Sequence, residues 1–163
     1  LSYIKRPGRS LRYIAVMFDS ATSPGRSAAP GTIKSARAPV VGVVDDDPGV
    51  LESLGFLLET EGFDVRSFRS GKALLRVLDD TPAECFVIDY RMAGLDGLAL
   101  SRRLHDRGTT APIILITGDP DAAIGPRAAA EGICAVLLKP HLEESLLSHV
   151  RRLTRPGPDG DLR

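Results

Sequence analysis

Tryptophan is absent and aromatic residues make up only 5% of the 163 residues, so any core must be built from aliphatic side chains. Two cysteines, Cys85 and Cys134, are too few for a disulfide-stapled scaffold. No apolar run approaches the roughly 18 residues a membrane-spanning helix requires, and the chain is expected to be soluble. Neither a glycine-rich loop ending in Lys-Ser/Thr nor a Gly-x-Gly-x-x-Gly stretch occurs, which leaves direct nucleotide binding without support. Net charge is missing too: 21 basic side chains balance 21 acidic ones, which taken alone argues against a nucleic-acid or membrane-surface partner. What the chain does have is 43% hydrophobic residues, more than disordered chains carry and enough for one ordinary domain with residues to spare.

The balanced charge conceals three unequal parts. Residues 1–39 carry a net +6, residues 40–153 a net −6, and the last ten residues none. Pro7, Gly8, Pro24, Gly25, Pro30 and Gly31 interrupt the basic part before a periodic face can develop, so residues 1–38 are expected to be a disordered leader. Its apolar patch, Tyr13 to Phe18, is shorter than the about 7–15 residues of a secretion signal. The chain opens on Leu1, and Met17 offers an alternative start that would remove four of the six net positive charges. Residues 39–153 form the expected domain, and residues 154–163 a polar, disordered tail.

Within 39–153, short β-branched runs alternate with stretches of helical spacing. Val40, Val41, Val43 and Val44 make a run without polar alternation, the pattern of a strand buried on both faces of a parallel sheet. Further strands are predicted at Phe63 to Phe68, Cys85 to Ile88, Ile113 to Ile116 and Ile133 to Leu138. Helices are predicted around Val50 to Leu58, Leu74 to Leu78 and Leu98 to Leu104, in a poorer segment containing Gly125 and Pro126, and along the stripe Leu142, Leu146, Val150 and Leu153. Five such units imply an α/β fold, a doubly wound parallel sheet with right-handed crossovers and helices on both faces. Ligands in such sheets bind beyond the carboxyl ends of the strands, so the residues at those ends matter most: Asp45 and Asp46, Asp89, Thr117, and Lys139.

Three carboxylates at one rim repel one another unless a cation neutralises them. Mg²⁺ suits them, because it takes hard oxygen ligands and keeps positions for water and phosphate oxygens. The Lys139 ammonium can hold a phosphoryl oxygen as a point charge, and the Thr117 hydroxyl can donate to another. One carboxylate can then act as a nucleophile and become an acyl phosphate. Asp89, alone at the end of a central strand, is best placed. Asp47 precedes Pro48, the pattern of a helix N-cap with proline at the first helical position, so it is read as a cap rather than a ligand. Asp96, just before Gly97, is read as a turn or cap residue.

Val-Val-Asp-Asp-Asp at 43–47, Asp-Tyr-Arg-Met-Ala-Gly-Leu-Asp-Gly at 89–97, Ile-Thr-Gly at 116–118 and Lys-Pro at 139–140 resemble, in order and spacing, the receiver domain of bacterial two-component response regulators. The resemblance covers residues 40–153 and implies a flavodoxin-like (βα)5 sheet of strand order 2-1-3-4-5. It makes Asp89 the phosphoacceptor and assigns Mg²⁺ to Asp45, Asp46, Asp89 and the backbone carbonyl of Arg91, with Thr117 as switch hydroxyl and Lys139 as the site lysine. It also implies a cis Lys139–Pro140 bond and a sensor histidine kinase or phosphotransfer protein as phosphoryl donor; the two cysteines, read as reduced, fit a cytoplasmic location, and the ten residues after Leu153 point to a protein as downstream partner. A phosphorylation-dependent homodimer is left open. With ten residues after Leu153, no DNA-binding part and no direct nucleic-acid contact are expected.

Plainer readings cover the other reactive side chains. Cys85 and Cys134 are read as reduced core thiols at the starts of strands, and His105, His141 and His149 as surface residues. Two departures from the receiver pattern bear on output: Val136 stands three residues before Lys139, where many receivers carry an inward-turning aromatic, and Pro126 falls in the fourth helix, which is therefore predicted to be short or kinked. Both favour a rival reading, a pseudo-receiver that binds partners without phosphorylation. Another rival is a transcriptional regulator truncated before its DNA-binding part. An aspartyl-phosphate phosphatase is disfavoured, since Arg91 sits where a second acid would be needed.

Overall fold

A computed structural model describes residues 37–119, 121, 123–140 and 143–154. The leader reading (residues 1–36, with the Tyr13 to Phe18 patch and Met17), most of the tail, and the readings of His141 and Leu142 lie outside the described residues.

Five strands alternate with helices: β1 (Val40–Val44), α1 (Pro48–Thr60), β2 (Asp64–Phe68), α2 (Gly71–Arg76), β3 (Cys85–Asp89), α3 (Gly97–Asp106), β4 (Ile113–Thr117), α4 (Ile124–Ala130), β5 (Ala135–Leu138) and α5 (Glu143–Thr154). All pairings are parallel and the order is β2-β1-β3-β4-β5, the flavodoxin-like order expected. Every residue of β1, β3 and β4 is buried, as continuous apolar runs require, while the edge strands β2 and β5 are partly exposed.

Side-chain alternation divides the core between the two faces of the sheet. Val41, Val43, Val87, Ile114 and Ile116 pack with Leu54 and Leu58 of α1 and Leu146 and Val150 of α5. Val44, Phe86, Ile88, Ile113 and Leu115 pack with Leu74 of α2, Leu100 and Leu104 of α3, and Ile124 and Ala128 of α4. Gly42 interrupts the valines of β1 for a steric reason: a Cβ there would come within 2.6 Å of the Phe86 ring.

Local signals set the helix ends. The Asp47 carboxylate accepts the N–H groups of Gly49 at 2.7 Å and Val50 at 3.4 Å, capping α1 with Pro48 at its first position. Asp96 caps α3 in the same way, accepting from the Ala99 N–H at 2.7 Å. Gly62, at φ +91°, turns the chain out of α1.

Five expectations need correction in whole or in part. Helix α2 ends at Arg76, so Val77 is exposed and Leu78 belongs to a short 3-10 turn, Leu78–Asp80. Strand β5 starts at Ala135, not Ile133: Gly132, at φ +73°, closes α4, and the Ile133 N–H returns to the Ala128 carbonyl at 3.0 Å. Cys134 therefore lies outside the strand and is exposed, so it is not a core thiol, whereas Cys85 is fully buried. Pro126 is the third residue of α4, where the backbone N–H has no intrahelical acceptor to lose; the helix is short, at seven residues, but proline removes no bond from it. Finally, α5 runs through Thr154, which is buried, one residue past the predicted boundary.

Candidate functional site

Parallel pairing places the carboxyl ends of β1, β3, β4 and β5 on one rim. The chain leaves β1 toward β2 on one side and returns to β3 on the other, so the crevice beyond β1 and β3 is the switch point of the sheet. Asp45 follows β1 and Asp89 ends β3; both are buried. Lys139 follows β5 and reaches across β4 into the crevice. Its Nζ donates to Asp89 Oδ1 at 2.8 Å and to Asp45 Oδ2 at 3.2 Å. The Lys139–Pro140 bond is cis.

Two further carboxylate oxygens accept main-chain N–H groups. Asp45 Oδ1 accepts the Asp47 N–H at 2.9 Å, which ties the site to the cap of α1. Asp46, exposed, accepts the Ala93 N–H at 3.1 Å through Oδ2, tying the end of β1 to the loop that follows Asp89. Gly97 lets that loop close: its N–H donates to the Tyr90 carbonyl at 2.9 Å, and a Cβ at this position would stand 2.5 Å from the Asp89 carbonyl oxygen.

Burial pushes the Asp89 carboxyl above its usual range, assisted by the neighbouring Asp45 charge, and the Lys139 hydrogen bond only partly opposes it. Burial pulls Lys139 the other way, but contact with Asp89 and Asp45 outweighs it and holds the ammonium above its usual value. Among the described residues the pocket is thus short of positive charge: one lysine stands beside three acids.

One oxygen from each of Asp45, Asp46 and Asp89 lies within 4.8 Å of the other two. Adjacent ligands on an octahedral Mg²⁺ stand about 3 Å apart and opposite ones about 4.2 Å, so small side-chain adjustments bring these oxygens into a common coordination sphere. The donor set is all oxygen, as a hard cation requires, and the acidic cluster is typical of a Mg²⁺-binding receiver site.

Thr117, at the end of β4, is buried. Its Oγ accepts the Asp119 N–H at 3.0 Å and faces the Asp119 carbonyl at 3.4 Å; its hydrogen bonds among the described residues are to Asp119, not to Asp89. The exposed Arg91 guanidinium pairs with the Asp119 carboxylate. Asp119 is thus a site residue that sequence reading missed. Its only signal was an acid two positions beyond a strand-end threonine, and its side-chain contact, to Arg91, crosses from one loop to another.

Among the described residues, Cys85, His105 and His149 stay apart from the rim. Burial pushes the Cys85 thiol up to about 12. His105 is exposed, and His149 Nδ1 stands 2.7 Å from the Ser145 carbonyl of its own helix. Among the described residues no helix is long and apolar enough to cross a membrane.

The crevice at the switch point of this flavodoxin-like sheet is thus lined by carboxylates and the Lys139 ammonium. The chain's sequence goes further: a family model described as the response regulator receiver domain matches residues 41–151. The chain belongs to this family, a phosphoacceptor module of two-component signalling, and membership implies a cognate sensor kinase. It is 34% identical over 124 residues to the response regulator protein TodT of Pseudomonas putida, covering 76% of this chain and 55% of TodT. With the transcriptional regulatory protein TdiR of Thauera aromatica it shares 38% identity over 117 residues, 72% of this chain and 52% of TdiR. The chain therefore spans about half the length of these relatives. Among solved structures, the crystal structure of FixJ-N superposes with a TM-score of 0.67 at 31% identity, over 71% of this chain and 93% of that one. A signal receiver domain of an HD domain-containing protein from Pseudomonas fluorescens gives 0.67 at 28% identity, over 72% and 94%.

Proposed function

We propose that Asp89 accepts a phosphoryl group from a phosphohistidine of a sensor kinase or phosphotransfer protein, in a Mg²⁺-dependent phosphorelay. The observation that carries this reading is the pair of Lys139 contacts to Asp89 and Asp45 in the β1/β3 crevice, with Asp46 completing the acidic set.

In the transfer, an Asp89 carboxylate oxygen attacks phosphorus, the O–P bond forms, the N–P bond of the donor breaks, and the leaving imidazole keeps the electron pair and takes a proton from solvent. Asp45, Asp46, Asp89 and the Arg91 carbonyl would hold Mg²⁺, which supplies charge neutralisation for the phosphoryl oxygens. Lys139 follows the charge: its ammonium, now on Asp89 Oδ1, is placed to hold a phosphoryl oxygen once that carboxylate oxygen is esterified. The Thr117 hydroxyl donates to another oxygen after leaving Asp119. Output then runs through protein contacts. Purified protein incubated with Mg²⁺ and acetyl phosphate should gain the mass of one phosphoryl group. No gain, or equal gain on Asp89→Asn, overturns the assignment.

Two observations favour other readings. TdiR is named a transcriptional regulatory protein and this chain covers 52% of it, which supports a reading as the receiver part of a longer DNA-binding regulator; the adjoining reading frame tests it. Val136, half-buried against the cluster that holds Ile124 and Ala128, is too small to act as a swinging aromatic and favours the phosphorylation-independent binding module. Partner affinity that responds to phosphorylation in wild type but not in Asp89→Asn would reject that module.

A further inference from the structure

The end of the sheet away from the acidic crevice carries a groove of its own. A cavity of about 790 Å³ opens between the segments that lead into β1, β3 and β4 and the last turn of α5, with Pro39, Ala83, Ala111, Pro112 and Leu153 giving it mostly apolar walls. That volume falls within the range of about 300–1,000 Å³ typical of sites that take a ligand. Two charged side chains, Arg37 and Glu84, also line it, and neither has an ion-pair partner among the described residues. The N–H groups of Thr110 and Ala111 have no hydrogen-bond acceptor among the described residues. Thr154, the buried last residue of α5, lines the same groove.

We propose that this groove is the seat of residues 155–163, which dock across the foot of the sheet instead of forming the free tail that their composition suggests. The segment, Arg-Pro-Gly-Pro-Asp-Gly-Asp-Leu-Arg, starts where Thr154 meets the groove, so its docking is intramolecular and needs little affinity per contact. Nine residues extended at about 3.1 Å each reach about 28 Å, against a radius of gyration of about 13 Å for a domain of this size. Pro156 and Pro158 hold φ near its extended value and reduce the entropy lost on docking. Leu162, the one large apolar side chain of the segment, suits the alanine and proline walls. The charges match as well: Asp159 and Asp161 answer Arg37, and Arg155 or Arg163 answers Glu84. Carbonyl groups of an extended segment would also take up the N–H groups of Thr110 and Ala111. Docking fixes the direction in which the chain leaves α5, at the end of the sheet opposite Asp89, and does not depend on Asp89 being the phosphoacceptor.

NMR of the isotope-labelled full chain tests the docking, with Leu162→Asp as the variant. Residue 162 lies outside the packed core, so the variant should unfold at the same temperature as wild type. In wild type the Leu162 methyl groups should show nuclear Overhauser contacts to the methyl groups of Ala83 or Ala111. The Ala111 N–H should exchange with solvent about tenfold more slowly in wild type than in Leu162→Asp, the shift that half-burial of one leucine supports. Equal exchange rates in the two proteins, or no contact from Leu162 to the groove, would overturn the proposal. Contacts that arise only between labelled and unlabelled copies in a mixed sample would overturn it too, because the occupant would then be a second molecule.

Discussion

Lys139→Met removes the one ammonium that, among the described residues, faces the acidic crevice, while keeping an unbranched side chain of similar length. Two charge-assisted hydrogen bonds disappear, at 2.8 Å and 3.2 Å, and two nearly buried carboxylates lose their counter-charge. Such bonds contribute about 1.5–3 kcal/mol each. The Lys139 side chain is 31% exposed, so water competes for it, and methionine avoids the cost of desolvating a charge. A net loss of about 2 kcal/mol without divalent cation follows, or a fall in Tm of about 8 °C for a domain of this size. The loss depends on pH. An acid whose folded-state pKa is raised binds its proton more tightly in the folded protein, so the stability linked to that proton is full below the unfolded value and lost as pH rises through the folded one. Asp89 is such an acid, and removing Lys139 raises it further. Lowering the pH from about 7 to about 5 should therefore recover more stability in the variant than in wild type. Urea unfolding at both pH values, with and without MgCl₂, measures this, and Mg²⁺ should stabilise the variant more than wild type. A variant as stable as wild type at neutral pH, or a difference independent of pH, would refute the electrostatic account of the site.

Other consequences are local. Asp47→Ala deletes the α1 cap and should cost about 1 kcal/mol in urea unfolding. Gly97→Ala forces a Cβ against the Asp89 carbonyl and a Leu115 methyl, which should cost about 1–3 kcal/mol and slow phosphorylation by displacing the end of β3; an unchanged unfolding midpoint would contradict that packing. Maleimide should label Cys134 in the native protein but reach Cys85 only on unfolding, and equally fast labelling of both would be inconsistent with the burial described.

Much of this molecule was legible because its determinants are local. The valine run of β1, the Asp47-Pro48 cap and Gly62 each act within a turn of chain, and their reading survives in the structure. Strand-end polar residues were legible for a topological reason: parallel strands put all their carboxyl ends together, so Asp45, Asp46, Asp89, Thr117 and Lys139 had to share one rim. Hydrophobicity alone misplaced the start of β5, since Ile133 is apolar whether it opens a strand or closes α4. Val77 failed for a similar reason, because apolar spacing continues past the point where α2 tightens into a 3-10 turn. Asp119 was invisible because its side-chain partner comes from tertiary folding: Arg91 is 28 residues away, on another loop.

The central claim is that Asp89, among the acids of this crevice, takes the phosphoryl group. Borohydride reduces an aspartyl phosphate to homoserine, which marks the modified residue permanently. Protein phosphorylated with acetyl phosphate and Mg²⁺, reduced and mapped by tandem mass spectrometry, should carry homoserine at position 89 alone. Homoserine at position 45, 46 or 119 instead, or none at position 89, would contradict the account.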